Sequence, residues 1–153
     1  MSKNQIRIIA AQPHHRPDII GFQLLMAMET ESLQLDRNIL EKGVQAVFED
    51  ASKGQYFVAV ADETVVGSFL ITYEWSDWRN GNVWWLQSVY VKREFRKLGI
   101  FNTMYQRLKD IVANQPEVMG IRLYVDKTNT KAQKVYQKKG LSHHHYDMYE
   151  WMK

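Results

Sequence analysis

Two cations and a single glycine, in Arg96-Lys97-Leu98-Gly99-Ile100-Phe101, stand between an apolar run and a helical pattern. Residues 83–91 (Val-Trp-Trp-Leu-Gln-Ser-Val-Tyr-Val) have the aromatic and β-branched composition of a mostly buried strand. After the glycine, Ile100, Phe101, Met104, Tyr105, Leu108, Ile111 and Val112 recur at helical spacing until Pro116. A strand thus runs into a short basic turn, and the turn opens a helix. A helix start offers backbone N–H donors without internal partners, together with the positive end of the dipole. Gly99 lets an anion approach the backbone, and Arg96 and Lys97 add charge. The chemistry implied is phosphate binding. The turn has no Gly-Lys-Ser/Thr ending, which excludes a nucleotide P-loop, and it lacks two of the three glycines of a dinucleotide fingerprint.

A second stretch, Asn129-Thr130-Lys131-Ala132-Gln133-Lys134-Val135-Tyr136-Gln137-Lys138-Lys139-Gly140-Leu141, reads as a helix. Asn129 is its N-cap, Ala132, Val135 and Tyr136 share one face, and Gly140 ends it.

The two stretches resemble the signatures of the GNAT N-acetyltransferase superfamily. The first is similar to its pyrophosphate loop, R/Q-x-x-G-x-G/A: Arg96 and Gly99 match, and Phe101 replaces the final small residue. The second is similar to N-x-x-A-x-x-x-Y-x-x-x-G-[FL], with all five positions present. The resemblance spans residues 55–141. It implies acetyl-CoA as acyl donor and direct transfer of the acetyl group to a primary amine of a small molecule or peptide. It further implies that the main chain of Val89, Tyr90 and Val91 pairs with the pantetheine arm. The N–H groups of Arg96, Lys97, Leu98, Gly99, Ile100 and Phe101 would hold the pyrophosphate, with Asn129 beside the arm. The Val89 N–H would polarise the thioester carbonyl, and Tyr136 would protonate the departing thiolate. A non-catalytic acyl-CoA sensor is the alternative, since it would keep the same cradle.

Acetyl transfer needs a neutral amine, a donor for the developing oxyanion and an acid for the thiolate, and no side-chain nucleophile. The strand positions where the family often carries a base are Trp85 and Gln87 here, and neither takes a proton at neutral pH. Glu74, at the end of the preceding strand, is the first candidate base, acting through water, with Glu29 and Glu31 on the helical lip next; an amine partly deprotonated in bulk needs no dedicated base. An acceptor wall is expected from Met26, Met28, Glu29, Glu31 and Leu33 on a helical lip and from Trp75 and Trp78 in a polar-aromatic loop. Aromatic residues with carboxylates suit an amine.

These groups need a scaffold. Ile6–Ala10 reads as a first strand. Pro17 and Asp18 open a helix carrying Ile19, Phe22, Leu25 and Met26 on one face, and Glu29-Thr30-Glu31-Ser32 breaks it. Asp36 caps a second helix with Ile39, Leu40, Val44, Val47 and Phe48 inward. Gln55–Ala61 and residues 65–73 form a hairpin across Asp62-Glu63-Thr64. Asn80-Gly81 turns the chain into the strand before the basic turn, which completes an antiparallel meander. The helix after Gly99 crosses to a parallel strand at 120–125, and residues 143–151 alternate enough for one or two more strands. The expected fold is a single α/β (α+β) domain over 1–153, with a mixed, mainly antiparallel sheet flanked by helices and parallel central strands that splay apart.

The 153 residues hold no cysteine, which excludes disulfide and thiolate chemistry. No apolar run approaches the roughly 20 residues of a membrane span, and no signal-peptide pattern opens the chain, so a cytoplasmic protein without a membrane partner is expected. His143-His144-His145 alternate faces in a strand and do not converge on one metal ion. The net charge of +3 is uneven: residues 1–76 hold six Lys/Arg against ten Asp/Glu, and residues 77–153 hold fourteen against seven. The basic residues cluster around the two motifs with no basic tail, which favours a phosphate-bearing cofactor over nucleic acid. A monomer or homodimer is expected.

Overall fold

The computed structural model describes residues 5–153. Two compact units divide the chain, the first ending at Leu123 and the second running Tyr124–Lys153. The first holds a five-stranded sheet in the order β1-β2-β3-β4-β5. Its strands are β1 (Ile6–Ala10), β2 (Gln55–Ala61), β3 (Thr64–Ser76), β4 (Gly81–Val91) and β5 (Val118–Arg122). The first four are antiparallel neighbours, and β4 and β5 run parallel. The mixed, mainly antiparallel sheet is as the sequence implied.

Three helices cover this sheet: α1 (Arg16–Glu31), α2 (Arg37–Glu49) and α3 (Ile100–Ala113). One face packs against α1 and α2 through Ile19, Ile20, Val44, Tyr56, Val58 and Val60. These apolar side chains leave water where a helix stripe meets alternate strand positions, at about 25 cal/mol per Å² of area. On the other face Phe69, Leu86, Val89, Met104, Tyr105 and Leu108 meet beneath α3. Asp36 caps α2 as expected, its Oδ1 accepting from the Ile39 N–H at 3.1 Å. Ile39 itself is exposed, so the inward stripe of α2 begins at Leu40.

Glu29-Thr30-Glu31-Ser32 does not break α1. The helix runs through Glu31, with Thr30 Oγ1 bonded back to the Met26 carbonyl at 2.8 Å. It ends at Ser32, which takes the left-handed conformation at φ 50°. The extra turn sets Glu29 at the negative end of the helix dipole, where a carboxylate needs a cation nearby.

The second unit contains α4 (Thr130–Lys138). Asn129 Oδ1 accepts from the Ala132 N–H at 3.1 Å, and Gly140 at φ 85° closes the helix. The strands expected within 143–151 are not formed, and Tyr149 and Trp151 are exposed. Alternation gives a segment a strand's two faces, but a ladder also needs a partner, and α4 is the one regular element among this unit's described residues. The parallel strand β5 ends at Arg122, short of the expected residue 125. No helix among the described residues is long and apolar enough to cross a membrane.

Candidate active site

The pairing of β4 with β5 is brief. It begins at Asn82 with Val118 and ends at Trp85 with Arg122, while β4 continues to Val91. Residues 86–91 therefore extend past the last β5 partner and have no strand partner on that side among the described residues. The parallel pair expected from the sequence is present, and its ladder ends where Trp85 meets Arg122. Within residues 86–91 Ser88 adopts φ 53°, and both Ser88 and Val89 lie opposite Phe69 of β3. One extra residue in β4 is a β-bulge, which re-aims the main chain at Val89. The composition of the strand gives no sign of this bulge, because serine is not the glycine such a φ favours.

The strand delivers the chain to the basic turn. Gly99 stands before α3 at φ 79°, and no side chain caps the helix start. A Cβ built on Gly99 would meet no atom within 4 Å. Space is thus open beside Gly99 at a helix start, where backbone N–H groups have no intrahelical partner. The Arg96 N–H donates to the Arg93 carbonyl at 3.2 Å. Lys97 is left-handed at φ 65° and Leu98 is exposed. Phe101, the departure from the motif, stacks on Tyr105 at 6.2 Å.

The Arg96 side chain turns back toward the sheet. Its Nε donates to the Val91 carbonyl at 2.8 Å, its guanidinium lies 5.3 Å from the Tyr90 ring centroid, and its Nη2 donates to Glu29 Oε2 at 2.7 Å. Arg93 Nη2 stands 3.5 Å from the same carboxylate, and the Tyr90 hydroxyl 3.4 Å from it. The Arg96 hydrogen bond is the largest cause holding the Glu29 carboxyl below its ordinary pKa, and burial works against it. Burial raises the Tyr90 phenol, and the Glu29 charge adds to that. Glu29 is thereby bound to the turn before α3.

Glu74 is also matched by a cation. Arg122 Nη1 donates to its Oε2, and Trp85 Nε1 donates to its Oε1 at 3.2 Å. Beside them Gln87 Nε2 donates to Thr72 Oγ1 at 2.5 Å. Sequence reasoning passed over Arg122, although a lone arginine inside an apolar strand was the available signal. Trp75 is one residue from Glu74 and so faces the opposite side of the sheet. Trp78 lies exposed in the turn beyond, while Met28 and Glu31 are exposed at the end of α1. The expected wall of α1 residues with Trp75 is therefore split between two faces. In the second unit, burial raises the Tyr136 phenol above its ordinary value.

Residues 22–141 match the model of the Acetyltransferase (GNAT) family. The structure is similar to that of a possible acetyltransferase from Clostridium difficile 630, at 41% identity and TM-score 0.91 over 97% of each chain. A predicted acetyltransferase with acetyl-CoA from Clostridium acetobutylicum shares the fold at 15% identity and TM-score 0.73, over 97% of this chain and 95% of that one. Ribosomal-protein-alanine N-acetyltransferase from Brucella melitensis biovar Abortus 2308 does so at 12% identity and TM-score 0.79, over 97% and 99%. No curated protein matches the sequence significantly. The protein is an acetyltransferase. It belongs to the GNAT family.

Proposed function

We propose that the chain transfers the acetyl group of acetyl-CoA directly to the primary amine of a small molecule or peptide, with both units forming one catalytic domain. The observation that carries this reading is the continuity of β4 residues 86–91, beyond the last β5 partner, with the uncapped start of α3 at Gly99. Acetyl-CoA, when bound, supplies an activated acyl carbon and a thiolate leaving group. The main chain of Val89, Tyr90 and Val91 pairs with its pantetheine arm as an added strand would. The N–H groups of residues 97–101 hold the pyrophosphate, and Lys97 and Arg96 lower the potential there for an anion. Asn129 stands beside the arm.

The residues then divide the chemistry. The Val89 N–H donates to the carbonyl oxygen as negative charge develops on it. The amine nitrogen forms its bond to the acyl carbon as the carbon–sulfur bond breaks. Glu74 accepts the amine's proton through water, and the Tyr136 phenol donates one to the sulfur. The amine enters from the sheet face carrying Glu74, Trp85 and Gln87, with Met28 and Glu31 at its rim.

The match of residues 22–141, which spans both units, supports treating them as one domain. The test is acetyl-CoA consumption over a panel of amines, with mass analysis of products. A singly N-acetylated product is expected. Product on hydroxyl or thiol acceptors alone would overturn the reading.

A further inference from the structure

The sheet face that carries Glu74 bears a polar row across three strands. Arg122 of β5 is in register with Trp85 of β4, and Trp85 with Thr72 of β3. Glu74 lies two residues along from Thr72 on the same face, joined to Arg122 and Trp85 by hydrogen bonds. Both charged side chains remain within reach of a ligand, with 31% of Arg122 and 39% of Glu74 exposed. The row stands where the β4–β5 ladder ends.

Its charge balance constrains the acceptor. A polyamine or an aminosugar is drawn by carboxylates that no protein cation answers. Within the row and the turn Glu74 is answered by Arg122, and Glu29 by Arg96 and Arg93, while Glu31 lies exposed at the rim. A site holding one carboxylate and one guanidinium side by side complements a ligand holding one ammonium and one carboxylate.

Resting on the acetyltransferase reading above, we propose that the acceptor is an amino-acid-like amine, with a free carboxylate close to its amino group. The carboxylate takes the planar fork of Arg122, which accommodates two parallel N–H donors. Its arrival draws Arg122 from Glu74 and leaves the Glu74 carboxylate to face the ammonium. The Trp85 indole flanks both. The ligand thus exchanges one partly exposed ion pair for two, and the net charge of the site is unchanged. The row becomes a selector for the carboxylate as well as a holder of the amine.

The experiment compares three series with the full chain and acetyl-CoA: L-amino acids, their C-terminal amides, and the amines left when the carboxylate is removed. The free acids are expected to show KM values about tenfold or more below those of the matching amides and amines. Arg122→Gln should erase that preference while the calorimetric Kd for CoA stays within about twofold. Arg122→Lys, which keeps charge and loses the fork, should restore part of it. Equal use of acids and amides by the parent protein overturns this inference and leaves acetyl transfer standing. A preference that survives in Arg122→Gln, with CoA binding intact, overturns the role given to Arg122. Absence of product from all three series while other amines are acetylated overturns this inference and leaves acetyl transfer standing; absence of product from every amine, with CoA bound, overturns both.

Discussion

Glu29, in the last turn of α1, accepts a 2.7 Å hydrogen bond from Arg96 in the turn that precedes α3. The pair joins α1 to the proposed pyrophosphate cradle. Its direct contribution to stability is modest, about 0.5–1 kcal/mol, because the Arg96 side chain is 40% exposed. Its larger effect is on charge. Glu29→Gln keeps an oxygen that Arg96 can donate to and removes one negative charge from beside the anion site. CoA should bind roughly two- to fivefold tighter at neutral pH, with the KM for the amine unchanged. Arg96→Ala, which loses the cation and the brace to Val91, should weaken CoA about tenfold. Calorimetry on the two variants checks both directions, and weaker binding in Glu29→Gln would show that order matters more than charge. Because the Glu29 pKa is lowered, this pairing stabilises the fold above the ordinary value of 4.5 and is lost as pH falls through the lowered one.

The cradle makes a second prediction. Gly99→Val puts a β-branched side chain at φ 79° and fills the space before the helix N–H groups. No protein atom stands within 4 Å of the new Cβ, so the fold should survive with a loss of about 1–2 kcal/mol from the backbone conformation. The Kd for CoA should rise by about tenfold or more. A variant that binds CoA as tightly as the parent would place the phosphates elsewhere.

Most of the frame was legible in the sequence, because local signals there agree with the tertiary fold. The N-caps Asp36 and Asn129, the glycine stops and the aromatic and β-branched composition of β4 each act within a few residues. Other features depend on groups far apart in sequence. The bulge at Ser88 is set by the register against Phe69, and the pairing of Glu74 with Arg122 joins strands 48 residues apart. Glu29 read as part of an acidic lip because nothing near it in the chain shows that Arg96 answers it. Residues 143–151 carried an alternating pattern but no evidence of a partner strand.

The hairpin between β2 and β3 turns on Asp62 and Glu63, both left-handed at φ 44° and 70°. Such a two-residue connection favours Asn-Gly, and glutamate pays conformational strain there. Replacing the pair with Asn-Gly should stabilise the protein by about 0.5–1 kcal/mol, at no cost to activity. Thermal unfolding reads the change. A lower Tm would mean that the Asp62 or Glu63 side chain has a role that its backbone does not reveal.

Where β3 crosses β4, Gly67 is held by contact. A Cβ there would lie 2.6 Å from the Tyr90 carbonyl oxygen and 2.8 Å from Met104 Cε. Met104 can yield; the Tyr90 backbone is the harder obstacle. Gly67→Ala should cost about 1–3 kcal/mol, and by moving Tyr90 it should weaken CoA as well. A loss of stability with an unchanged Kd would separate the packing of this crossing from the proposed arm-binding edge.

Tyr136 carries the last prediction, that its phenol is the general acid. Asn129 sets the start of α4, and Leu141 donates to the Tyr136 carbonyl at 3.1 Å at its end, so the helix fixes the residue from both sides. Burial raises the phenol above its ordinary value of 10.0, which keeps the proton in place throughout the neutral range. A thiolate leaving the acyl carbon can take that proton, and water then restores it. Tyr136→Phe keeps the ring and removes the donor. Turnover should fall roughly 10²–10⁴-fold if proton delivery limits the chemical step, with the Kd for acetyl-CoA within a few-fold. The raised pKa also has a sign for stability: the unfolded phenol ionises first, so the parent loses stability as pH rises through 10, and Tyr136→Phe should lose less. Parental kcat in the variant would assign protonation of the sulfur to solvent. A large fall in Tm at neutral pH would identify the hydroxyl as a structural group, and the alkaline limb of the rate profile, present in the parent and absent in the variant, distinguishes the acid from that role.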